Sequence, residues 1–234
     1  MTITPTGLIR AAGLAAVGAG AIFIGVQIGH PHMDASTIDS TQVIVRDSLK
    51  VLMAALALAG ITGMYARQVR QTGVLGLVGY LLFSAGYLLI LATAFAAAFV
   101  LPTIAATDPT YVDALTKASN TGASVDGIGL MAGVLKAQGA AYLLGGLLFG
   151  VALFRARVLP RWASVLLAVG GLVSAALTFM PDAFHRLLAF PNGIALIALG
   201  WALWTSYRTA GSPDASAASS PSDTVEPAHQ VASR

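Results

Sequence analysis

The chain has 234 residues, of which 56% are hydrophobic and only 10% charged, with a formal net charge of +3. Soluble domains carry about 25% charged residues, so this composition cannot cover a water-facing surface. It excludes a soluble globular enzyme, a disordered regulator and a nucleic-acid-binding domain, and the lack of cysteine removes disulfides, thiolate metal sites and cysteine nucleophiles.

A helix that crosses the hydrocarbon core needs about 20 apolar residues. Six segments answer to that description, at residues 8–29, 49–66, 74–101, 134–154, 162–180 and 187–207. None alternates as an outer-membrane barrel strand would. The first is longer than the apolar run of a signal peptide and leads into further spans, so it is read as retained. The third is long enough to tilt or to project beyond the bilayer. The expected fold is therefore an all-α polytopic transmembrane helical bundle of six spans over residues 1–207. Residues 208–234, rich in Ser, Ala and Pro, read as a disordered tail.

Charge gives the orientation. The turns after the second and fourth spans hold Arg67 and Arg70, then Arg155, Arg157 and Arg161; Arg10 opens the first span and Arg208 closes the sixth. None of these places holds an acid. The other three loops hold Asp34, Asp39, Asp47, Asp108, Asp113, Asp126 and Asp182. Basic loops stay inside, so both termini are expected in the cytoplasm and the acidic loops on the outer side of the membrane. Residues 30–48 form a medium outer loop. The loop at 102–133 is the longest, and in it Asp108 and Pro109 read as the cap and first turn of a short helix that runs to Ser119 and ends at Asn120-Thr121-Gly122.

Candidate chemistry is sparse. His30 and His32, in H-P-H, and Asp182 and His185, in D-A-F-H, fall at the same membrane face, and imidazole with carboxylate is a zinc-type ligand set. No histidine lies within a span, which argues against haem, and no cofactor is expected. Soluble-enzyme motifs such as the P-loop, G-x-S-x-G and H-E-x-x-H are missing, and an intramembrane serine protease built on Ser84 would need a histidine base in another span. Asp47 and Lys50 flank the start of the second span, three residues apart. Lys136 and Gln138 near the outer end of the fourth span, and Asn192 in P-N-G of the sixth, are the candidate ligand or cavity residues. Trp162, Trp204 and Tyr207 read as an interfacial aromatic belt, with Trp201 one turn deeper against another helix. Gly146 and Gly150 form G-x-x-x-G, which serves close packing within the chain or, alternatively, a membrane-protein partner or homodimer.

The stretches GMYARQVRQTGVLGLVGYLLFSAGY and YLLGGLLFGVALFRARVLPRWASVLLAVG, with the H-P after the first span, resemble a group of uncharacterised actinobacterial six-span integral membrane proteins. The resemblance covers most of residues 8–207 and implies the same topology; its motifs are structural and imply no active site. The expected function is non-catalytic binding of a protein partner or lipid in the envelope. The alternatives are a channel or uncoupled carrier for a small neutral molecule, and an outer-face metal-dependent enzyme.

Overall fold

The computed structural model describes residues 4–29, 33–176 and 189–206, with 171–176 and 189 by backbone alone. Eight helices and no strand occur among these residues: α1 (Pro5–Gly25), α2 (Thr41–Arg67), α3 (Val69–Phe99), α4 (Leu101–Ala105), α5 (Pro109–Thr121), α6 (Met131–Ala156), α7 (Arg161–Ala176) and α8 (Ala189–Thr205). Four of them, α1, α2, α3 and α6, are long and apolar enough to cross a membrane. Two more, α7 and α8, are apolar but have 16 and 17 residues. The outer surface of the bundle carries Leu8, Leu14, Leu52, Leu81, Leu88, Leu144, Val165 and Ile194, each substantially exposed. Such a surface is at home in hydrocarbon and costly in water, and with the four long apolar helices it suggests a membrane location.

The six long helices close a ring. α1 packs on α2 and α8, α2 on α3, α3 on α6, α6 on α7, and α7 on α8. Neighbours run antiparallel. Along the α3–α6 seam, Gly79 meets Phe149, Gly86 meets Tyr142, and Thr93 meets Gln138. Along α1–α8, Gly13 meets Gly200 and Trp204, while Gly20 meets Gly193 and Ile197. Inside the ring Ala57, Ile61, Met64, Phe83, Phe149, Leu153, Leu167, Leu196, Leu199 and Leu203 form one buried cluster.

The ring has two unlike ends. Asp34, Asp39, Asp47, Asp108, Asp113 and Asp126 gather at one end, and Arg10, Arg67, Arg70, Arg155, Arg157 and Arg161 at the other. The acidic end is roofed by a second apolar cluster: Ile38, Val43, Leu101, Val112, Leu115, Ala118 and Ile128 pack together from the α1–α2 connection, α2, α4, α5 and the α5–α6 connection. The roof helix is built as its sequence predicts. Asp108 accepts from the Tyr111 N–H at 3.0 Å, Pro109 opens the first turn, and Gly122 closes the helix in a left-handed conformation at φ 67°. The long outer loop expected at 102–133, with its short helix, thus folds as part of an apolar cap.

Several boundaries differ from expectation. α2 begins at Thr41, so the last part of the presumed loop at 30–48 is helix; Ser40 caps it by accepting from the Val43 N–H. Those first turns are polar in sequence because 27 residues rise about 40 Å, more than the roughly 30 Å hydrocarbon core, and Val43 is buried in the cap instead. The third span ends at Phe99, and α4 follows after a break at Val100. The turn at 67–73 is largely helical, and Gly73 breaks it at φ 56°, ψ −152°, a conformation that side-chain-bearing residues avoid. Trp201 does not pack inward: it is 53% exposed and its ring lies 4.8 Å from that of Trp204. Gly146 and Gly150 are buried within the chain, where Gly146 faces the Phe83 ring and Gly150 seats α7 at Ser164 and Ala168.

Candidate functional site

Beneath the roof is a cavity of about 170 Å³. α2 contributes Asp47 and Lys50; α3 contributes Ile90, Thr93, Ala94 and Ala97; α5 contributes Leu115, Thr116, Ser119 and Asn120; α6 contributes Leu135 and Gln138. The walls are therefore apolar with a few convergent polar groups, the usual make-up of a small-ligand site.

Asp47 is its most unusual residue. It stands in the second turn of α2, is 1% exposed, and is the only carboxylate among the described residues that lines the cavity. Lys50 Nζ lies 2.6 Å from Oδ1, as a spacing of three residues on one helix face allows. Oδ2 is buried and has no hydrogen-bond partner among the described residues. A buried carboxylate normally has both oxygens satisfied, because desolvating an unpaired charged oxygen is costly. Here the unpaired oxygen belongs to a residue on the wall of a half-open cavity.

Across the cavity Thr93 Oγ1 donates to Gln138 Oε1 at 2.8 Å. The same hydroxyl also contacts the Leu89 carbonyl at 2.9 Å, so it is anchored to its own helix. Thr116 is tied likewise to the Val112 carbonyl at 2.9 Å. Of the residues singled out from sequence, Gln138 therefore lines the site and Lys136 does not: Lys136 is exposed on the outside of α6.

Asn192 lies one level deeper. It is 2% exposed, and its Nδ2 donates to the Tyr142 hydroxyl at 2.9 Å. Tyr142 follows Gln138 by four residues on α6 and so shares its face. Its ring meets those of Tyr87 at 5.5 Å and Phe83 at 5.4 Å. Asn192 Oδ1 has no hydrogen-bond partner among the described residues, and the Tyr87 hydroxyl faces that of Tyr142. Below this level the bundle centre is closed by Phe83, Phe149, Leu153, Leu196 and Leu199.

The cap is held down by specific bonds. The Ala35 N–H donates to Asp113 Oδ1 of α5 at 2.7 Å. Arg46 donates to the carbonyls of Val26, Ile28 and Gly29 at 2.7, 2.8 and 2.7 Å, which satisfies the carbonyl end of α1. Asp34 Oδ1 accepts from the hydroxyls and N–H groups of Ser36 and Thr37. The Ser36 hydroxyl in particular holds the Asp34 carboxyl below its ordinary value of 3.8, against a smaller upward push from burial.

His30, His32, Asp182 and His185, the residues read from sequence as a metal set, lie outside the described residues. Among the described residues no three His, Cys, Asp or Glu side chains group as a metal site. The site that sequence reasoning missed is the Asp47 cavity. Its signal was present, since Asp47 is an acid within one turn of a lysine at a span boundary, but nothing in the sequence says that α5 will fold over it. Comparison with protein-family models, with curated proteins and with solved structures gives no match.

Proposed function

We propose that this chain is a six-span protein of a bacterial plasma membrane, with both termini cytoplasmic and the cap outside, that binds a small polar ligand or lipid headgroup without chemical turnover. The arginine-rich end supports the orientation, because basic residues are retained on the cytoplasmic side. The apolar character of α7 and α8, which in sequence extends through Met180 and from Leu187, supports counting them as spans. The bacterial assignment rests on the resemblance to actinobacterial six-span proteins.

One observation carries the binding reading: a buried carboxylate with an unpaired oxygen on the wall of a roofed cavity. Conduction is less well supported, because the polar residues stop at Asn192 and Tyr142 and a packed aromatic and aliphatic core lies below them. Native mass spectrometry of the full chain, released gently from its own membrane, tests the proposal. A discrete adduct is expected, and it should vanish in Ser119→Trp, which places an indole at the cavity from an exposed position on α5. A bare wild-type protein, or an adduct that survives Ser119→Trp, refutes the reading.

A further inference from the structure

A second space lies outside the ring, between α1 and α2. Through most of their length these helices touch: a Cβ added at Gly63 would meet Ala12, one at Gly60 would meet Ala16, and one at Gly18 would stand 3.4 Å from Leu56. Two turns nearer the acidic end the contact is gone. Gly25 lies on the same face of α1 as Gly18, and Leu49 on the same face of α2 as Leu56, because seven residues are close to two full turns. Yet a Cβ at Gly25 would meet nothing within 4 Å. The gap is a groove of about 500 Å³, open along one side, with Gly25 and Val26 on one wall and Val45, Arg46 and Leu49 on the other. The apolar wall continues as the exposed Leu52, one turn below Leu49.

Arg46 gives the groove its polarity. Three of its five N–H donors bond the carbonyls of Val26, Ile28 and Gly29. No carboxylate pairs with it among the described residues. Its Nε has no acceptor there either and, unlike Nε of Arg10, is not sealed within the protein. Depth decides what can answer this charge. The uninterrupted apolar run of α2 starts at Val51, just after Lys50. Arg46 therefore stands about 7–8 Å above that run at 1.5 Å per residue. The headgroup layer on each side of the hydrocarbon core is roughly 5–8 Å thick, so on the membrane reading Arg46 lies at headgroup depth, with Leu49 and Leu52 pointing the groove towards the core. The molecule that presents an anion at this depth and an apolar chain below it is a phospholipid. Guanidinium and phosphate are well-matched partners.

We infer that the α1–α2 groove seats one diacyl phospholipid of the leaflet on the acidic side, its phosphate on Arg46 and an acyl chain running past Leu49 and Leu52. The site is distinct from the cavity, which Asp47 and Lys50 line from another face of α2.

The groove is open to detergent, which empties it on purification, so lipid is added back. The test is titration of the full chain, delipidated in dodecyl maltoside, with dioleoylphosphatidylglycerol, dioleoylphosphatidylethanolamine and dioleoylglycerol, read by native mass spectrometry. Both phospholipids should fill one site at least about tenfold more tightly than dioleoylglycerol, which has the same chains and no phosphate; tenfold is the low end of the loss of a hydrogen bond to a charged group. Arg46→Gln should remove this preference and Arg46→Lys should keep part of it. Gly25→Trp, which puts an indole into the groove where nothing else stands, should weaken both phospholipids by about tenfold or more, while Ser119→Trp at the cavity should leave them unchanged. Dioleoylglycerol bound as tightly as the phospholipids in the wild type overturns the inference, and so does unchanged phospholipid binding in Gly25→Trp. If Ser119→Trp abolishes the binding and Gly25→Trp does not, the lipid belongs to the cavity: the groove inference falls and the cavity reading stands. If the groove fills as expected and no cavity adduct is found, only the cavity reading fails. Helical circular dichroism confirms folding; Arg46 also closes the end of α1, so should Arg46→Gln not fold, Gly25→Trp and the lipid preference of the wild type decide alone.

Discussion

The α3–α6 seam makes a quantitative prediction about the scaffold that holds the cavity. A Cβ added at Gly86 would stand 2.7 Å from the Tyr142 nitrogen and 2.8 Å from its Cα. Ordinary contact begins near 3.4 Å, so the deficit is about 0.7 Å, and it is against backbone that cannot rotate away. Helices α3 and α6 must move apart, which loosens Phe83, Tyr87 and Tyr142 together. Overpacking of this kind costs about 1–3 kcal/mol, while alanine recovers up to about 1 kcal/mol of helix propensity. Gly86→Ala should therefore be destabilised by about 1–2 kcal/mol on balance. Gly139, on the same helix as Tyr142, has nothing within 4 Å of its would-be Cβ. Gly139→Ala should be unchanged or stabilised by up to about 1 kcal/mol. Equilibrium unfolding of both full-length variants by dodecyl sulfate titration from dodecyl maltoside micelles measures the gap. If Gly86→Ala proves as stable as Gly139→Ala, the close approach of α3 and α6 is not as described and the argument fails.

Three other outcomes are expected. Lys50→Met removes the ion-pair partner of a buried carboxylate, and because Lys50 is itself 23% exposed the loss should be about 1–3 kcal/mol, below the fully buried range; Asp47→Leu combined with Lys50→Met should recover most of it in the same unfolding assay, and a double variant worse than the single would count against the pair. Tyr142→Phe strips Asn192 Nδ2 of its hydrogen-bond acceptor and should cost about 1–3 kcal/mol in the same assay; a Tyr142→Phe variant as stable as the wild type refutes the assignment. The Asp34 carboxyl is held below its ordinary value chiefly by the Ser36 hydroxyl. Its contribution to holding the 34–40 turn is then complete above pH 3.8 and is lost as the pH falls further through the lowered value. Hydrogen exchange at the Ser36 and Thr37 amides should accelerate there beyond the intrinsic trend in wild type and not in Asp34→Ala.

Much of the architecture was legible before any coordinates because it follows from local chemistry. Apolar runs of span length satisfy their backbone groups as helices, so four of the apolar segments reappear as the long helices α1, α2, α3 and α6 with shifted ends, and the described parts of the other two are helical as α7 and α8. Asp108, Pro109 and Gly122 act on the backbone within a turn of themselves, and α5 starts and stops at them. The pairing of Asp47 with Lys50 is likewise local, set by one helical turn.

The candidate site was not legible, because its parts are far apart in the chain. Thr93 and Gln138 are separated by 45 residues, Tyr142 and Asn192 by 50, and Ala35 and Asp113 by 78. Asp47 read as a loop-edge acid because residues 41–48 look too polar to enter a bilayer; its burial depends on α5 lying across the helix ends, a matter of tertiary packing between Val43, Leu101, Val112 and Leu115. The same holds for G-x-x-x-G, whose spacing specifies that a backbone can approach but not whose backbone; only the ring closure of α3, α6 and α7 assigns it within the chain. Composition and short-range stereochemistry by themselves determined that the chain forms membrane helices with an acidic and a basic end. Which helices meet, and that a carboxylate is enclosed where they do, was decided by side-chain shape acting between segments that no local rule connects.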